Sequence, residues 1–247
     1  MNGSWRRLCL FLGLCAGTVA SAAHPLQGER LNYDVAWAGM VVGRASIECI
    51  PTNNPLLAVI RTTARANETI QSMYPVLDTI QSFVHISTGL PVQFRKSQKE
   101  GNYSAEIRIN FQRSKDRAVV SGQIKGVAKP DTAVTLEGGE HDLLSSLVKV
   151  RLSPLVPGTS QFLSMVDNRK RFASVEVQCL RRDTIEWGKS RTPTVVVVPK
   201  IHGDALFASK GSLTIWMTDD SLHVPLRMES KIALGTIKAE LTQRTVR

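Results

Sequence analysis

The sequence predicts a mainly β protein: one long, twisted antiparallel sheet, curved into an open barrel and carrying one or two short helices. Three observations predict this. Runs that alternate apolar with polar residues recur from Leu31 to Thr242, separated by glycine, proline and asparagine. One stretch alone combines helical spacing with a capping residue, beginning at Asp142. No repeat, low-complexity tract or linker divides the chain, so a single sheet must hide its apolar face by curling or by being covered.

Taken in order, Leu31, Tyr33, Val35 and Trp37 alternate with polar or small residues, and Val41, Ala45 and Ile47 resume the pattern after Gly39. This reads as an amino-terminal hairpin with one apolar face. A turn at Pro51–Pro55 leads into Leu57–Arg61, and the spacing of Ile70, Met73 and Tyr74 predicts a short helix within Ala64–Tyr74. Strands are expected at Ile80–Ile86, Val92–Gln98, Tyr103–Phe111 and Arg117–Gly122, with Gly122–Pro130 as a loop. Asp142 is a good N-cap for a helix ending before Pro154, whose Leu143, Leu144, Leu147, Val148 and Val150 are spaced for burial against a sheet. Further strands fit Gln161–Val166, Ala173–Leu180, Asp183–Trp187, Thr194–Pro199 and Ser212–Thr218. A closing pair follows at Val224–Ser230 and Ile232–Thr242.

The chain opens with Arg6-Arg7, an apolar run from Leu8 to Ala16, and the small-residue stretch Val19-Ala20-Ser21-Ala22-Ala23. That is the layout of a secretory signal, cut after Ala22. Lipidation at Cys15 is the competing reading, opposed by Leu14 where the lipoprotein peptidase wants a small residue. The apolar run is about half of the roughly 20 residues a spanning helix needs, so no stable membrane span is expected. Removing residues 1–22 of 247 leaves 225, room for one β domain over 23–247. The expected compartment is the periplasm, which takes nucleic acid off the list of partners. The formal charge of +10, of which Arg6 and Arg7 supply two, then reads either as a solvated basic surface or as attraction to anionic headgroups. Arg169-Lys170-Arg171 and Arg181-Arg182 are the basic clusters to inspect.

Cys9 and Cys15 leave with the signal, and Cys49 and Cys179 remain. Each shares the apolar face of its strand, Cys49 with Ala45 and Ile47, Cys179 with Val175 and Val177. In an oxidising compartment the expectation is a Cys49–Cys179 disulfide, the alternative being two separate buried thiols. Neither occupies a C-x-x-C pair or a helix start, so catalytic thiols are not expected.

Chemistry beyond this is sparse. The five histidines, His24, His85, His141, His202 and His223, show no metal-ligand spacing, and Glu140-His141-Asp142 reads as a helix cap. There is no G-x-S-x-G elbow and no phosphate loop. Asp219-Asp220, with His223, is the one clustered set for acid–base work, but its composition is that of a hairpin tip. No catalytic residue, metal or cofactor is assigned. The candidate cleft residues are Trp37, Phe83 and Trp216 with Leu144 and Leu147 of the helix; ordinary core packing is the alternative. Trp216 lies on the face opposite Leu213, Ile215 and Met217.

Several blocks in order resemble one family. Glu29-Arg30-Leu31-Asn32-Tyr33-Asp34-Val35 followed by Trp37, Gly39 and Gly43 resembles the opening of the exported bacterial proteins of domain of unknown function 3108 (DUF3108). Asp78–Val84 with Pro91 and Phe94, Lys96 with Glu100-Gly101-Asn102-Tyr103, and Asp142-Leu143-Leu144-Ser145 with Arg151 resemble its next three. Trp216–Asp220 with Pro225 and Gly235 resembles its closing hairpin. Val148 and Lys149 depart from it, standing where aromatic residues are expected. The resemblance implies a long sheet rolled into a β-spiral or half-barrel, similar to periplasmic lipoprotein carriers. It carries no assigned activity. The function it implies is a non-enzymatic periplasmic protein binding a lipid, lipoprotein or other amphipathic envelope component. The alternatives are an adaptor for another envelope protein and, third, an enzyme on envelope polymers.

Overall fold

The computed structural model describes residues 24–167, 169–200, 213–232 and 235–247, so the signal segment and His202 lie outside the described residues. The strands are β1 (Glu29–Trp37), β2 (Met40–Pro51), β3 (Leu57–Ala66), β4 (Leu77–His85), β5 (Pro91–Glu100), β6 (Tyr103–Gln112) and β7 (Arg117–Ile124). They continue as β8 (Val127–Thr135), β9 (Thr159–Asp167), β10 (Lys170–Trp187), β11 (Ser190–Lys200), β12 (Leu213–Thr218), β13 (Pro225–Ile232) and β14 (Gly235–Val246). The helices are α1 (Glu68–Met73) and α2 (Leu143–Arg151). All fourteen strands belong to one sheet, ordered β8-β7-β6-β5-β4-β3-β2-β1-β14-β13-β12-β11-β10-β9. Every neighbouring pair is antiparallel, and the two meanders join where β1 pairs with β14.

The sheet curls until it is nearly a closed barrel, with β8 and β9 as its edges. Side chains and a short segment cover the seam. His141 donates its backbone N–H to the Ser164 carbonyl and accepts from the Val166 N–H, both at 2.8 Å, adding a parallel bridge to β9. From the β9–β10 turn, Arg169 donates to the Pro130 carbonyl and, at 3.0 Å, to Thr132 Oγ1 on β8. An exposed edge would otherwise invite pairing with another chain.

In a meander, successive turns fall at alternate ends. The β1–β2, β5–β6, β7–β8 and β13–β14 turns therefore share one end with α1, which links β3 to β4. At the other end lie the β2–β3, β4–β5, β6–β7 and β12–β13 connections, and α2 plugs it. Leu144 and Val148 of α2 pack with Ile60, Val84, Phe94 and Ile109; Val150 and Leu147 pack with Val177, Val197, Ile215 and Met217. Asp142 fixes the helix start. Its Oδ1 accepts from the N–H groups of Leu144 and Ser145 at 2.9 Å, Ser145 Oγ accepts from its N–H, and Ser82 Oγ of β4 donates to Oδ2 at 2.5 Å.

Three expectations are corrected. Gly122–Pro130 is no loop but the end of β7 and the start of β8, joined by Lys125 and Gly126 at φ 50° and 74°. Two successive positive φ values make the tight hairpin turn that matches strand twist, here without its usual Asn-Gly signal. The short helix expected within Ala64–Tyr74 is present as α1, while Ala64 to Ala66 end β3, paired with Ala45 to Gly43. Ala173–Leu180 and Asp183–Trp187 are one strand, β10, irregular between Cys179 and Arg181. The Cys49–Cys179 bridge is not formed: both thiols are free and buried, Cys49 packed with Leu26 and Ile60, Cys179 with Val195 and Val197. Facing the interior does not bring two residues together when their strands lie in opposite halves of a wide sheet.

Candidate ligand cavity

Inward-facing residues leave a cavity of about 430 Å³ between α2 and the sheet. This lies within the range of roughly 300–1,000 Å³ of small-molecule sites. Leu143, Leu144, Leu147 and Val150 of α2 form its floor. Its wall is apolar: Leu163 and Met165 of β9, Val175 and Val177 of β10, Ile215 and Met217 of β12, and Met228 of β13. Tyr33, Ala45 and Ile47 close the side formed by β1 and β2. The lining continues to Ile232, Ile237, Ala64 and Glu100, next to the turns, so the cavity runs toward the end opposite α2.

Polar groups gather near that end. Asp78, Gln98 and Glu100 line the cavity there, with Ser230 across from them. Asp78 accepts the Lys99 N–H at 3.0 Å, yet burial, aided by the neighbouring charge of Glu100, pushes its carboxyl up to about 6. Tyr33 is fully buried; its hydroxyl donates to the Pro225 carbonyl at 2.8 Å, and burial raises its phenol well above the ordinary value.

Beneath the floor, a buried ion pair holds α2 in place. Arg151 reaches Glu29 of β1 through Nη1 at 2.7 Å and Nη2 at 3.1 Å, and Arg244 of β14 adds a third contact to Glu29 at 3.0 Å. Arg151 Nε also donates to the Leu222 and His223 carbonyls at 3.3 Å, while His223 Nδ1 lies 2.7 Å from the Arg151 carbonyl. Strand alternation carries no sign of this network or of Asp78. Glu29, Asp78, Glu100 and Arg151 do all stand in the sequence blocks quoted above.

Of the residues named from sequence, Leu144 and Leu147 line the cavity, while Trp37, Phe83 and Trp216 stand outside it. Trp37 is exposed beside the β1–β2 turn. Phe83 lies under the Arg95 guanidinium, 5.1 Å from its ring centre. Trp216 packs with Ile185 and Trp187, donates to Asp183 Oδ2 at 3.1 Å and is covered by Arg227. The long sheet coils enough to cover both of its faces in places, and Trp216 is packed there rather than in the cavity.

The acid–base candidates are likewise engaged in structure. Asp219 pairs with Arg182 at 2.8 Å; Asp220 accepts from Thr218 Oγ1 and the Leu222 and His223 N–H groups. Glu140 is fully buried. Despite burial, bonds from the Glu137 and Gly138 N–H groups and Arg171 hold its carboxyl below the ordinary value. Arg171 is thereby engaged with Glu140 and Glu137, and Arg181 with Asp183, so these basic clusters are largely neutralised. Among the described residues no group of three or more His, Cys, Asp or Glu is placed to hold a metal. No helix among them is long and apolar enough to cross a membrane.

The family profile described as "Protein of unknown function (DUF3108)" matches residues 32–242. The chain belongs to the DUF3108 family. A search of curated proteins returned no match. Among solved structures, the DUF3108 chain is similar to the "Beta-barrel-like Protein of Domain of Unknown Function DUF1849 from Brucella abortus". The TM-score is 0.56 at 11% identity, covering 92% of this chain and 100% of that one. At that identity the likeness speaks to the barrel-like fold of the DUF3108 protein alone.

Proposed function

We propose that this protein is a non-enzymatic periplasmic binding protein that holds the acyl portion of a lipid or lipoprotein in the barrel. One observation carries the reading: the interior is not filled by its own side chains but leaves about 430 Å³, lined mainly by apolar residues, with small hydroxyl side chains (Ser46, Thr62, Thr63, Ser146) along it and its carboxylates, Asp78 and Glu100, near one end. A long apolar tail fits such a space, and its polar end would sit near Asp78, Gln98 and Glu100. The amino-terminal signal supports export to a compartment where lipids must cross water. The adaptor alternative, pairing along an open strand edge, is less favoured, because Pro130 and the Arg169 contacts blunt the β8 edge.

Native mass spectrometry of protein purified from periplasm, with organic extraction and lipid analysis, tests the reading. A stoichiometric adduct that disappears on extraction is expected. A clean apo mass, with no uptake of a soluble fluorescent fatty acid, would overturn it and favour the adaptor.

A further inference from the structure

The end of the barrel toward which the cavity runs is edged by large, exposed apolar side chains. Met40 beside the β1–β2 turn is 64% exposed, Met73 at the end of α1 74%, and Val127 beside the β7–β8 turn 59%. Tyr74 and Leu77 after α1, and Trp37 and Tyr103 on neighbouring turns, are exposed as well. Seven of the fifteen large exposed hydrophobic residues among the described residues therefore border one end of the molecule, although they come from sequence positions scattered between residues 37 and 127. Single exposed apolar residues need no explanation; a row of them along one part of a rim does.

The helix α1 shows how this end is built. None of its residues is buried, so it contributes nothing to the core. It is held at its base: the Asn67 side chain accepts from the Ile70 N–H at 2.9 Å and donates to the Val41 carbonyl at 2.8 Å, and the Gly101 N–H donates to the Pro75 carbonyl at 2.8 Å. Tyr74 lies over Gly101, where an added Cβ would stand 2.4 Å from its ring. The segment is thus fixed in place while Met73 and Leu77 remain outside.

Basic side chains stand among the apolar ones. Arg65, Lys125, Lys129 and Lys231 are exposed at the same end and carry no ion pair among the described residues, in contrast to Arg171, Arg181 and Arg182. Glu68, Glu106 and Asp131 are exposed acidic residues at the same end and are outnumbered by these cations. An apolar row interspersed with cations that carry no ion pair among the described residues is complementary to an anionic bilayer surface: the cations meet headgroups and the apolar side chains enter the acyl boundary.

We infer that this rim docks the barrel on an anionic lipid bilayer, with the cavity facing the membrane. The inference deepens the lipid-binding reading and rests on it for its purpose, but the two fail separately. The test is flotation with vesicles of mixed phosphatidylglycerol and phosphatidylethanolamine, against vesicles of phosphatidylcholine alone. The mature protein is expected to bind the anionic vesicles, with affinity falling as salt rises. The double variant Met73→Asp/Leu77→Asp is expected to lose about tenfold or more in affinity, and Lys125→Gln/Lys129→Gln to flatten the salt dependence. Phe162→Asp, on the outer face of β9 away from this rim, is expected to change nothing.

These substitutions touch exposed side chains only, and circular dichroism checks that each variant folds. No vesicle binding, or equal loss in the Phe162 variant, overturns the docking; capture of a protein partner in its place does the same. Binding of a soluble fluorescent fatty acid separates the two readings. If the rim variants keep it while losing vesicles, rim and cavity are distinct devices. If wild type floats with vesicles but never takes up the fatty acid, the cavity reading fails and the docking stands.

Discussion

Arg151 and Glu29 form a two-pronged ion pair, 2.7 and 3.1 Å, in which both side chains are buried at the plugged end of the barrel. It ties the last turn of the one substantial helix to the first strand, 122 residues away in sequence. The tie is what allows a helix to be floored across a barrel with space left above it.

Breaking that pair on one side strands a buried charge. Arg151→Met is expected to cost about 3–5 kcal/mol, read from urea unfolding. Arg151→Met/Glu29→Leu is expected to recover much of the loss, since neither charge is then left alone, although Arg244 loses its partner too.

Stability should depend on pH through two neighbours acting in opposite senses. Burial lifts Asp142 to about 6 from 3.8, so its contribution is full below 3.8 and is lost as pH rises through 6. Burial, with Lys149 and Arg113 nearby, lowers His141 to about 4 from 6.5, so its contribution is present above 6.5 and is lost as pH falls through 4. Asp142→Asn keeps a capping side chain and should make stability fall more steeply on acidification; His141→Gln should do the reverse. Urea midpoints measured between pH 4 and 6.5 check both, a tenfold change in proton affinity on folding being worth about 1.4 kcal/mol.

Gly122 and Gly126 sit near the same hairpin turn and should respond differently to alanine. A Cβ on Gly122, at φ 145°, would stand 1.9 Å from the Glu106 carbonyl oxygen of β6. Gly126, at φ 74°, faces open space. Gly126→Ala is expected to cost about 1–2 kcal/mol through backbone strain alone, and Gly122→Ala clearly more, as the β6–β7 pairing must part. Thermal unfolding of the two variants decides it.

Both cysteines should behave as buried thiols. Burial pushes Cys49 up to about 12 and raises Cys179 as well, so neither supplies thiolate at neutral pH. A thiol reagent is expected to label them only after unfolding, and reductant to leave Tm unchanged. A bridged Cys49–Cys179 peptide in non-reducing mass mapping would contradict this.

The class of fold is written locally along the chain. Alternation in runs such as Ala105, Ile107, Ile109 and Phe111 is dictated by strand geometry within a few residues, and the Asp142 cap needs only its own helix. Signals of that range are legible without the rest of the molecule. Leu144 and Leu147 are legible as inward-facing for the same reason.

Which inward-facing residues meet, and what they leave empty, depends on the assembled barrel. Alternation places Cys49, Cys179, Ile215 and Leu147 all inside, but not which of them touch; the order of fourteen strands sets that, and it keeps the two cysteines apart. Trp37 and Trp216 have the residue type of cavity walls, yet the coil of the sheet spends one at the rim and the other under Arg227. The cavity, the exposed apolar row at the end it runs toward and the Arg151–Glu29 tie all join residues far apart in sequence. Their free energies depend on packing across the barrel, and no local pattern encodes them.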